Sequence, residues 1–307
     1  MAEAEGGAGA GRRCGFVALI GAPNVGKSTL VNSIVGAKVA IVSHKVQTTR
    51  TLLRGIATVG QAQLVFIDTP GIFAPRRRLE RAMVAGAWSG AGDADLVGVL
   101  IDARHGLDAD SGSLLERLAA ARQRKILIVN KIDLVEKPTL LALVKDASAR
   151  APFAATFMVS ALTGDGVVDL KQWLAAEVPP GPWDYPEDQL TDAPLRQLAA
   201  EITREKLYLR LHQELPYQST VETNAWKELK DGSARVEQTI YVERESQRKN
   251  ELGKGGQTIK AIGADARREI AQMAEQPVHL FLFVKVREAW GEDPERYREM
   301  GLEFPRE

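Results

Sequence analysis

The sequence predicts two domains, an α/β domain with an open, mainly parallel sheet and then a smaller α+β domain. From Gly15 to about Glu177, apolar runs of strand length alternate with segments of helical periodicity, which is typical of a parallel sheet covered on both faces. The segment from Val178 to Pro186 holds four prolines, and proline removes backbone donors and disfavours helix in the residue before it. Beyond it the order of elements changes, and the length of 307 residues also favours two domains.

The first domain is predicted to contain strands and helices in alternation. The strands are the apolar runs Phe16–Ile20, Leu52–Val59, Gln63–Ile67, Leu96–Ile101, Lys125–Val129 and Ala155–Val159. The helices are predicted to begin near Lys27, Leu79, Ala109, Pro138 and Val167. A proline suits the first position of a helix, because its missing NH would have no helical partner there.

The second domain is predicted to place its helices against a small, separate sheet. Its elements are a helix over Leu195–Leu211, strands over Ser219–Leu229 and Ala234–Glu243, two short helices around Gly253–Gly256, and a strand over His279–Val286. We therefore expect a flexible segment at 1–13, a first domain at 14–180, a linker at 181–193, and a second domain with a C-terminal tail at 194–307.

The composition restricts the kinds of ligand that the chain can bind. Forty Lys and Arg residues balance forty Asp and Glu residues, so a nucleic-acid site must be a local patch. The single cysteine, Cys14, cannot form an intrachain disulfide, and the four histidines are scattered without zinc-site spacing. No apolar run approaches the roughly 18 residues that a membrane-spanning helix needs. We expect a protein of the reducing cytoplasm.

An octapeptide after the first strand predicts a site for a nucleoside triphosphate. The run is Gly21-Ala22-Pro23-Asn24-Val25-Gly26-Lys27-Ser28, and Thr29 follows it in the predicted nucleotide-binding set. It lies between a strand and a helix, the context that a phosphate-binding loop requires. Backbone NH groups and the helix dipole then attract the phosphates, Lys27 reaches the outer ones, and Ser28 is predicted to bind Mg²⁺.

A second group of site residues, Asp68-Thr69-Pro70-Gly71, directly follows the strand Gln63–Ile67. Ligands of open parallel sheets lie at the carboxyl ends of the strands, so Asp68 is predicted to hold Mg²⁺, through water. The NH of Gly71 is predicted to bond the γ-phosphate.

A third group, Asn130-Lys131-Ile132-Asp133, follows the strand Lys125–Val129. The carboxylate of Asp133 can accept hydrogen bonds from N1 and the exocyclic amino group of guanine, a donor pair that adenine lacks. A site built for these donors rejects the wrong base, because its polar groups would stay unpaired. The three groups, each at a strand end, predict that the nucleotide is GTP or GDP.

With these residues in place, the region from Gly15 to about Glu177 resembles a Ras-type GTPase domain with the three-layer P-loop NTPase fold. Ser160-Ala161-Leu162 resembles the fifth motif of that family, whose alanine NH faces the guanine O6. Gln47-Thr48-Thr49-Arg50 resembles the first switch loop, in which a threonine closes on Mg²⁺ when the γ-phosphate is present. The sequence leaves open whether Thr48 or Thr49 does so. The resemblance implies metal ligands at Ser28, Thr48, Thr49 and Asp68, and catalytic roles at Lys27, Thr48, Thr49, Asp68 and Gly71.

One position departs from the Ras pattern. Where Ras-like enzymes carry a water-orienting glutamine, this chain has Ile72, which also belongs to the predicted nucleotide-binding set. The Era and tRNA-modification branch of GTPases shares this apolar residue, which implies slow intrinsic turnover. In relatives with an asparagine at the position of Asn24, K⁺ supplies the charge of an arginine finger, so K⁺ is a hypothetical cofactor here. Arg50 is expected to be a solvated switch residue, with the supply of charge in cis as the alternative.

The second domain contains a predicted single-stranded RNA site. Gly253-Lys254-Gly255-Gly256 fits the Gly-x-x-Gly loop of KH domains, which clamps the backbone of about four nucleotides. The order of elements around it resembles the type II KH fold, an α+β arrangement. The predicted RNA-binding residues are Arg244, Arg248, Lys249, Gly253, Lys254, Gly255, Gly256 and Lys260. Base selectivity is expected from the groove between the helix after Gly256 and the sheet.

Taken together, the two domains resemble the Era family of bacterial GTPases over the chain beyond its N-terminal segment. The sequences Gln47–Arg50, Asp68–Ile72 and Val242–Glu245 also fit that family. The resemblance implies a Mg²⁺-dependent GTPase that assembles ribosomes and binds 16S rRNA near its 3′ end and the immature 30S subunit. It further implies a monomer, peripheral contact with the inner membrane, and control of RNA association by the bound nucleotide.

Two other functions stay open on the sequence. A GTPase of tRNA modification with an incidental C-terminal domain is one, although the chain has neither a second nucleotide domain nor a cysteine near its C-terminus. An RNA-binding module that keeps GTP as a structural ligand is the other, with Ile72 then marking lost hydrolysis. Multiple-turnover GTPase assays with and without ribosomal RNA separate these functions.

Overall fold

The computed structural model describes residues 11–43, 45, 48–50, 52–75, 77–211, 219–252, 256–288 and 290–305, and every structural statement below concerns these residues. They divide into two compact units. Within the described chain, the first unit spans 11–40, 49–192 and 301–303. The second unit spans 41–48, 193–300 and 304–305. The short segment 41–48 therefore belongs to the second unit, although residues of the first unit precede and follow it in sequence.

The first unit is built on a six-stranded sheet with the order β2-β3-β1-β4-β5-β6. All neighbouring strands are parallel except β2, which runs antiparallel to β3. The central strands are buried along their whole length, as expected for apolar runs covered on both faces. The strands are β1 (Arg13–Gly21), β2 (Leu53–Val59), β3 (Ala62–Asp68), β4 (Leu96–Asp102), β5 (Lys125–Asn130) and β6 (Thr156–Val159).

Helices cover both faces of this sheet and form two apolar cores. The helices are α1 (Lys27–Val35), α2 (Arg78–Asp93), α3 (Ala109–Ala119), α4 (Lys137–Arg150) and α5 (Val167–Glu177), with a 3-10 turn at Ile132–Leu134. Residues of α1 and α5 pack in one core, and residues of α2, α3 and α4 pack in the other. The predicted α/β order is confirmed, with Pro138 at the start of α4.

The register of the sheet brings the predicted site residues to a single edge. Leu19 of β1 pairs with Asp68 of β3. At the other side of the sheet Asn130 of β5 pairs with Asp102 of β4 and with Val159 of β6. Because these strands are parallel, their carboxyl ends and the loops that follow them lie along the same edge.

The second unit has a three-stranded sheet with helices packed against it. Its strands are β7 (Ser219–Glu228), β8 (Ala234–Val242) and β9 (Val278–Val286), and its helices are α6 (Leu195–Arg210), α7 (Glu245–Leu252), α8 (Gln257–Met273) and α9 (Pro294–Glu299). The strand order is β7-β8-β9, with β7 antiparallel and β9 parallel to β8. Apolar side chains of α6 and α8 bury the sheet, and a hydrogen bond of 2.6 Å from Thr203 Oγ1 to Gln238 Oε1 lies within that core.

Two features of the second unit differ from the prediction. The helix after Gly256 has 17 residues and is not short. A helix interior disfavours glycine such as Gly263, but a β-carbon at that position would lie 3.3 Å from Leu282, so the glycine permits close packing on β9. Helix α9 and a 3-10 turn at Trp290–Glu292 are absent from the prediction. None of the described helices is long and apolar enough to cross a membrane.

The core of the second unit supplies a stability test. Ile270 of α8 is fully buried, so Ile270→Ala should lower the free energy of unfolding by about 2–5 kcal/mol through lost burial and the cavity left behind. Urea unfolding followed by circular dichroism measures this change. The control Arg268→Ala, at an exposed position of the same helix, should stay within about 0.5 kcal/mol of the unaltered protein. Equal effects of the two substitutions would contradict the packing described here.

Candidate functional site

The phosphate-binding loop joins β1 to α1 in a conformation that only certain residues adopt. Gly26 has φ 100°, and a β-carbon there would lie 2.3 Å from Nδ2 of Asn130, so both the backbone and the space require glycine. Asn24 has φ 61°, in the left-handed region that asparagine tolerates better than most residues. The loop residues Gly21, Ala22, Pro23, Val25, Ser28 and Thr29 are also placed here, at the end of β1 and the start of α1.

The ammonium of Lys27 is enclosed by this loop. Its Nζ donates to the carbonyl oxygens of Gly21 at 3.2 Å and Ala22 at 3.1 Å, and the side chain is buried. Burial lowers the pKa of Lys27 to about 8, although the charge of Asp68 acts in the opposite direction. A buried ammonium bonded to neutral carbonyls fits an anionic ligand, because phosphate oxygens would supply the missing negative charge.

Three side-chain oxygens from separate segments meet next to the loop. Ser28 Oγ donates to Asp68 Oδ2 at 2.8 Å and lies 2.9 Å from Thr49 Oγ1, which in turn lies 3.4 Å from Asp68 Oδ2. Oδ1 of Asp68 is buried and accepts no hydrogen bond from the part of the chain that the structure describes. Burial raises the pKa of Asp68 to about 6, against hydrogen bonds from Ser28 and Thr49 and the charge of Lys27. This set of hard oxygen ligands fits Mg²⁺.

The two threonines of the first switch loop lie in different surroundings. Thr49 faces Ser28 and Asp68, as described above. Thr48 belongs to the second unit, and its hydroxyl donates to the carbonyl of Lys45 and lies 2.7 Å from Ser43 Oγ. Gln47 lies outside the described residues. The geometry therefore favours Thr49 as the threonine of the predicted metal site.

The loop Asp68–Ile72 packs against the phosphate-binding loop. Thr69 Oγ1 donates to the carbonyl of Leu19 at 2.6 Å, and the NH of Ile72 donates to the carbonyl of Gly21 at 3.0 Å. A β-carbon on Gly71 would lie 2.9 Å from Pro23, so glycine permits this approach. Pro70, between them, is buried. Ile72 is itself buried in the core with residues of α2, at the position where Ras-like enzymes carry their water-orienting glutamine.

Asn130 connects three loops on the other side of the site. Its Nδ2 donates to the carbonyl of Val25 at 2.8 Å, and its Oδ1 accepts from the NH of Ala161 at 2.9 Å. The side chain thus positions the loop with Ser160, Ala161 and Leu162 relative to the phosphate-binding loop. Ser160 and Ala161 are buried, whereas Leu162 and the carboxylate residue Asp133 are exposed on this side. An exposed Asp133 is able to accept the two donors of a guanine.

Sequence reasoning missed Asp102, the last residue of β4. Its carboxylate accepts from Lys131 Nζ at 2.6 Å and from Arg104 Nη2 at 2.9 Å, and Lys131 also donates to the carbonyl of Asn24. Burial of Asp102 acts to raise the pKa of its carboxyl, but the hydrogen bonds from Arg104 and Lys131 outweigh it and hold that pKa well below its ordinary value. Its place at the end of a buried strand is the signal that could have identified it.

The expectation that Arg50 is a solvated switch residue is wrong. Its side chain is among the largest that are fully buried in the described chain. The guanidinium at this position therefore packs within the protein.

The second unit contains a groove between α8 and β9 with a volume of about 330 Å³. Its lining residues are Ile259, Lys260, Gly263, Ala264, Arg267, Leu280 and Leu282. The two basic side chains are exposed and the floor is apolar, the combination that lets bases lie on an apolar surface while phosphates meet cations. This is the groove from which the sequence predicts base selectivity.

The other predicted RNA-binding residues precede α8 in the sequence. Arg244 and Arg248 are exposed at the start of α7, and Lys249 is part of the same helix. Gln247 Oε1 accepts from the NH of Arg244 at 2.9 Å and so caps the helix. Gly256 begins α8 with φ 74°. Gly253, Lys254 and Gly255 lie outside the described residues.

The fold and the site define a P-loop GTPase domain followed by a KH domain. A family model described as a 50S ribosome-binding GTPase matches residues 16–131, and a KH domain model matches residues 214–291. GTPase Era of Bradyrhizobium sp. strain BTAi1 is 69% identical over 306 residues, 100% of this chain and 99% of that protein. GTPase Era of Brucella suis biovar 1 is 65% identical over 293 residues, 95% of this chain and 94% of that protein.

Solved structures agree with these relatives. A crystal structure of Era in complex with MgGDPNP and nucleotides 1506–1542 of 16S ribosomal RNA has a TM-score of 0.89 and 35% identity, covering 94% of this chain and 99% of that one. A variant of Aquifex aeolicus Era bound to GDP.AlF4⁻ gives the same values. The chain belongs to the Era GTPase family, and it is a GTP hydrolase.

The contact between Asp102 and Lys131 generates a test. Asp102→Ala should weaken binding of GDP and of a non-hydrolysable GTP analogue by a similar factor of about tenfold, because Lys131 loses a charge-assisted hydrogen bond. Isothermal titration calorimetry measures both affinities. Asp102→Asn keeps an acceptor and should lose less, and Glu116→Ala, at an exposed position of α3, should lose nothing. If Asp102→Ala binds both nucleotides with unchanged affinity, the contact between Asp102 and Lys131 does not contribute to nucleotide binding.

Proposed function

We propose that the protein is a Mg²⁺-dependent GTPase of ribosome assembly, in which the bound nucleotide controls capture of 16S rRNA near its 3′ end and of the immature 30S subunit. The observation that best supports nucleotide binding is the pair of buried charges at the carboxyl edge of the first sheet. Lys27 and Asp68 are both buried, Lys27 donates to backbone carbonyls, and Asp68 accepts from the hydroxyl of Ser28. Burial shifts both pKa values towards the neutral forms. Bound Mg²⁺ and a triphosphate would supply the complementary charges.

The residues of the site divide the work of GTP hydrolysis. Lys27 and the loop NH groups bind the phosphates, with the NH of Gly71 on the γ-phosphate, while Asp133, Lys131 and the NH of Ala161 select guanine. Ser28, Thr49 and Asp68 would hold Mg²⁺, which neutralises charge on the β- and γ-phosphates when bound. Asn130 and Asp102 keep these loops in place.

The burial of Ile72 supports slow intrinsic turnover. An aliphatic side chain in the core cannot orient the attacking water, so this chain supplies no side chain for that step at the position where Ras-like enzymes have one. The family's hydrolysis of GTP argues against the alternative in which GTP is only a structural ligand.

The proposal of RNA binding rests on the groove between α8 and β9 in the second unit. Exposed Lys260 and Arg267 line it, and Arg244 and Arg248 are exposed elsewhere in the second unit. The residues Gly253, Lys254 and Gly255 belong to the predicted phosphate clamp. The related Era structure holds nucleotides 1506–1542 of 16S rRNA, and 35% identity over nearly the whole chain supports the same class of ligand here. We assign nucleotide binding to residues 14–180 and RNA binding to 194–307. Cytoplasmic location, a monomeric state and peripheral membrane contact stay predictions.

Two substitutions test whether the first domain binds the nucleotide and the second domain binds RNA. Lys27→Ala should weaken nucleotide binding by more than about a hundredfold, because two or more charge-assisted hydrogen bonds to phosphate are lost. Gly256→Asp should leave nucleotide affinity unchanged but weaken RNA binding, because aspartate tolerates a positive φ and adds a negative charge beside the RNA backbone. Calorimetry with GDP and filter binding with a 16S 3′-end oligonucleotide measure the two. If each substitution reduces both activities equally, the assignment is wrong.

Potassium dependence tests the hypothesis about Asn24. If K⁺ supplies charge to the transition state, GTP turnover in KCl should exceed turnover in NaCl at equal ionic strength by about tenfold or more. The affinity for GDP serves as the control and should be the same in both salts. Equal turnover in the two salts would remove K⁺ from the mechanism.

A further inference from the structure

We propose that the second unit has a further surface for single-stranded RNA, on which bases stack against Phe281 and Phe283. This surface is the outer face of the β7-β8-β9 sheet, the face that points away from α6 and α8. The inference rests on the proposed RNA binding of the second unit. It adds a surface to the groove between α8 and β9, and all its residues belong to the described part of that unit.

The two phenylalanines lie on the outer face because side chains alternate along β9. Leu280 and Leu282 line the groove and pack in the cores that contain residues of α8. Successive side chains of a strand point to opposite faces, so Phe281 and Phe283 point away from the helices, and they are 42% and 49% exposed. Phenylalanine is among the residues that proteins bury most often, and these two rings are neighbours on one face. They form an apolar patch that invites an occupant.

Basic side chains flank the two rings on the same face. Directly opposite residues of neighbouring strands share a face, and Arg235 of β8 lies opposite both His279 of β9 and Lys227 of β7. This row crosses the sheet at one end of the patch. At the other end Lys285 occupies the next outer position of β9 after the rings. These side chains are exposed, so phosphates can meet basic groups at both ends of the patch.

Arg235 is already arranged as part of a stacking surface. Its guanidinium carbon lies 4.5 Å from the centroid of the Phe281 ring. Its Nε and Nη2 lie 2.9 and 2.8 Å from Glu237 Oε1, which orients the guanidinium at the ring. Bases stack on guanidinium planes as well as on aromatic rings, so Arg235 extends the surface that the two phenylalanines offer.

The spacing of the rings suits successive bases. Residues two apart on a strand are separated by about 6.6 Å, so one base can lie on Phe281 and the next on Phe283. Other RNA-binding sheets use exposed aromatic side chains in this manner to stack two or three bases. Stacking of this kind tolerates any base, because every base has a flat π face.

The outer face is continuous with the groove. Strand β9 is at the edge of the sheet among the described strands, so a single strand separates the leucines of the groove from the phenylalanines. The clamp of a KH domain holds about four nucleotides, so a longer RNA must continue beyond it. An RNA that leaves the groove past the outer edge of β9 reaches the outer face.

The polar row beside the rings argues against a protein or a membrane as the occupant. Glu237 lies directly opposite Phe281, and Thr239 lies directly opposite Phe283. A partner sheet or lipid chains that covered the rings would also bury the pair of Arg235 and Glu237, at a cost in desolvation. RNA presents flat apolar bases next to charged phosphates, so it can cover the rings and keep the charged pair in polar surroundings.

Removal of the rings tests this surface. Phe281→Ala and Phe283→Ala should each weaken binding of a single-stranded RNA of about 20 nucleotides by about tenfold, because each loses one stacked base. Filter binding with a 16S 3′-end sequence measures this affinity. For an RNA of about four nucleotides, which fills only the predicted clamp, the change should stay below about twofold.

Conservative substitutions separate base stacking from a general apolar contact. Phe283→Tyr keeps an aromatic ring and should keep the RNA affinity, whereas Phe283→Leu keeps an apolar side chain and should lose as much as Phe283→Ala. Leu141→Ala, at a 66% exposed apolar position of α4 in the first unit, should leave RNA binding unchanged. All four variants should bind GDP with the affinity of the unaltered protein, which shows that they are folded.

The inference is overturned if the alanine variants bind the long RNA normally, if both RNA lengths lose affinity equally, or if Phe283→Leu binds like the unaltered protein. Normal RNA binding together with altered sedimentation of the RNA-free protein would identify a protein interface instead. Normal RNA binding together with lost binding to anionic vesicles would identify a membrane surface, and either result contradicts the inference. If the unaltered protein binds neither RNA, the proposed function itself is wrong.

Discussion

Two buried charges of opposite sign at the carboxyl edge of the first sheet determine how the rest of the site is arranged. Lys27 is bonded to backbone carbonyls and Asp68 to hydroxyl groups, so neither charge is neutralised by direct pairing. Burial lowers the pKa of Lys27 to about 8 and raises that of Asp68 to about 6. Between these pH values both groups are charged. The free-energy cost of burying each charge therefore acts in full on the nucleotide-free fold in this range. A ligand that carries phosphate and a divalent cation removes both penalties together.

The parallel sheet makes much of this site predictable from sequence. Each predicted group directly follows a strand, and parallel strands present their carboxyl ends at the same edge, so the sequence alone places Asp68, Asn130 and Ala161 together. Asp102 follows the same rule but escapes notice, because a lone aspartate after a strand also suits an ordinary turn. Its importance depends on Lys131, whose left-handed backbone at φ 66° directs the ammonium towards it. Such a pairing is tertiary and leaves no local pattern.

The second unit shows where local patterns mislead. The sequence predicts a short helix after Gly256, but α8 continues for 17 residues and passes through Gly263, although a helix interior disfavours glycine. The missing side chain is compensated by Leu282, which packs where a β-carbon would otherwise approach it. The same close packing forms the floor of the groove between α8 and β9. Arg50 shows the opposite error: its charge predicts exposure, but packing that leaves no trace in the sequence buries it.

The adjacent threonines of the switch loop cannot be distinguished from sequence, because the distinction lies in which compact unit each one joins. Thr48 is bonded within the second unit and Thr49 within the first, with one peptide bond between them. Both residues carry the same side chain, so they differ only in their tertiary contacts. Thr48 Oγ1 donates to the carbonyl of Lys45, whereas Thr49 Oγ1 lies beside Ser28 and Asp68.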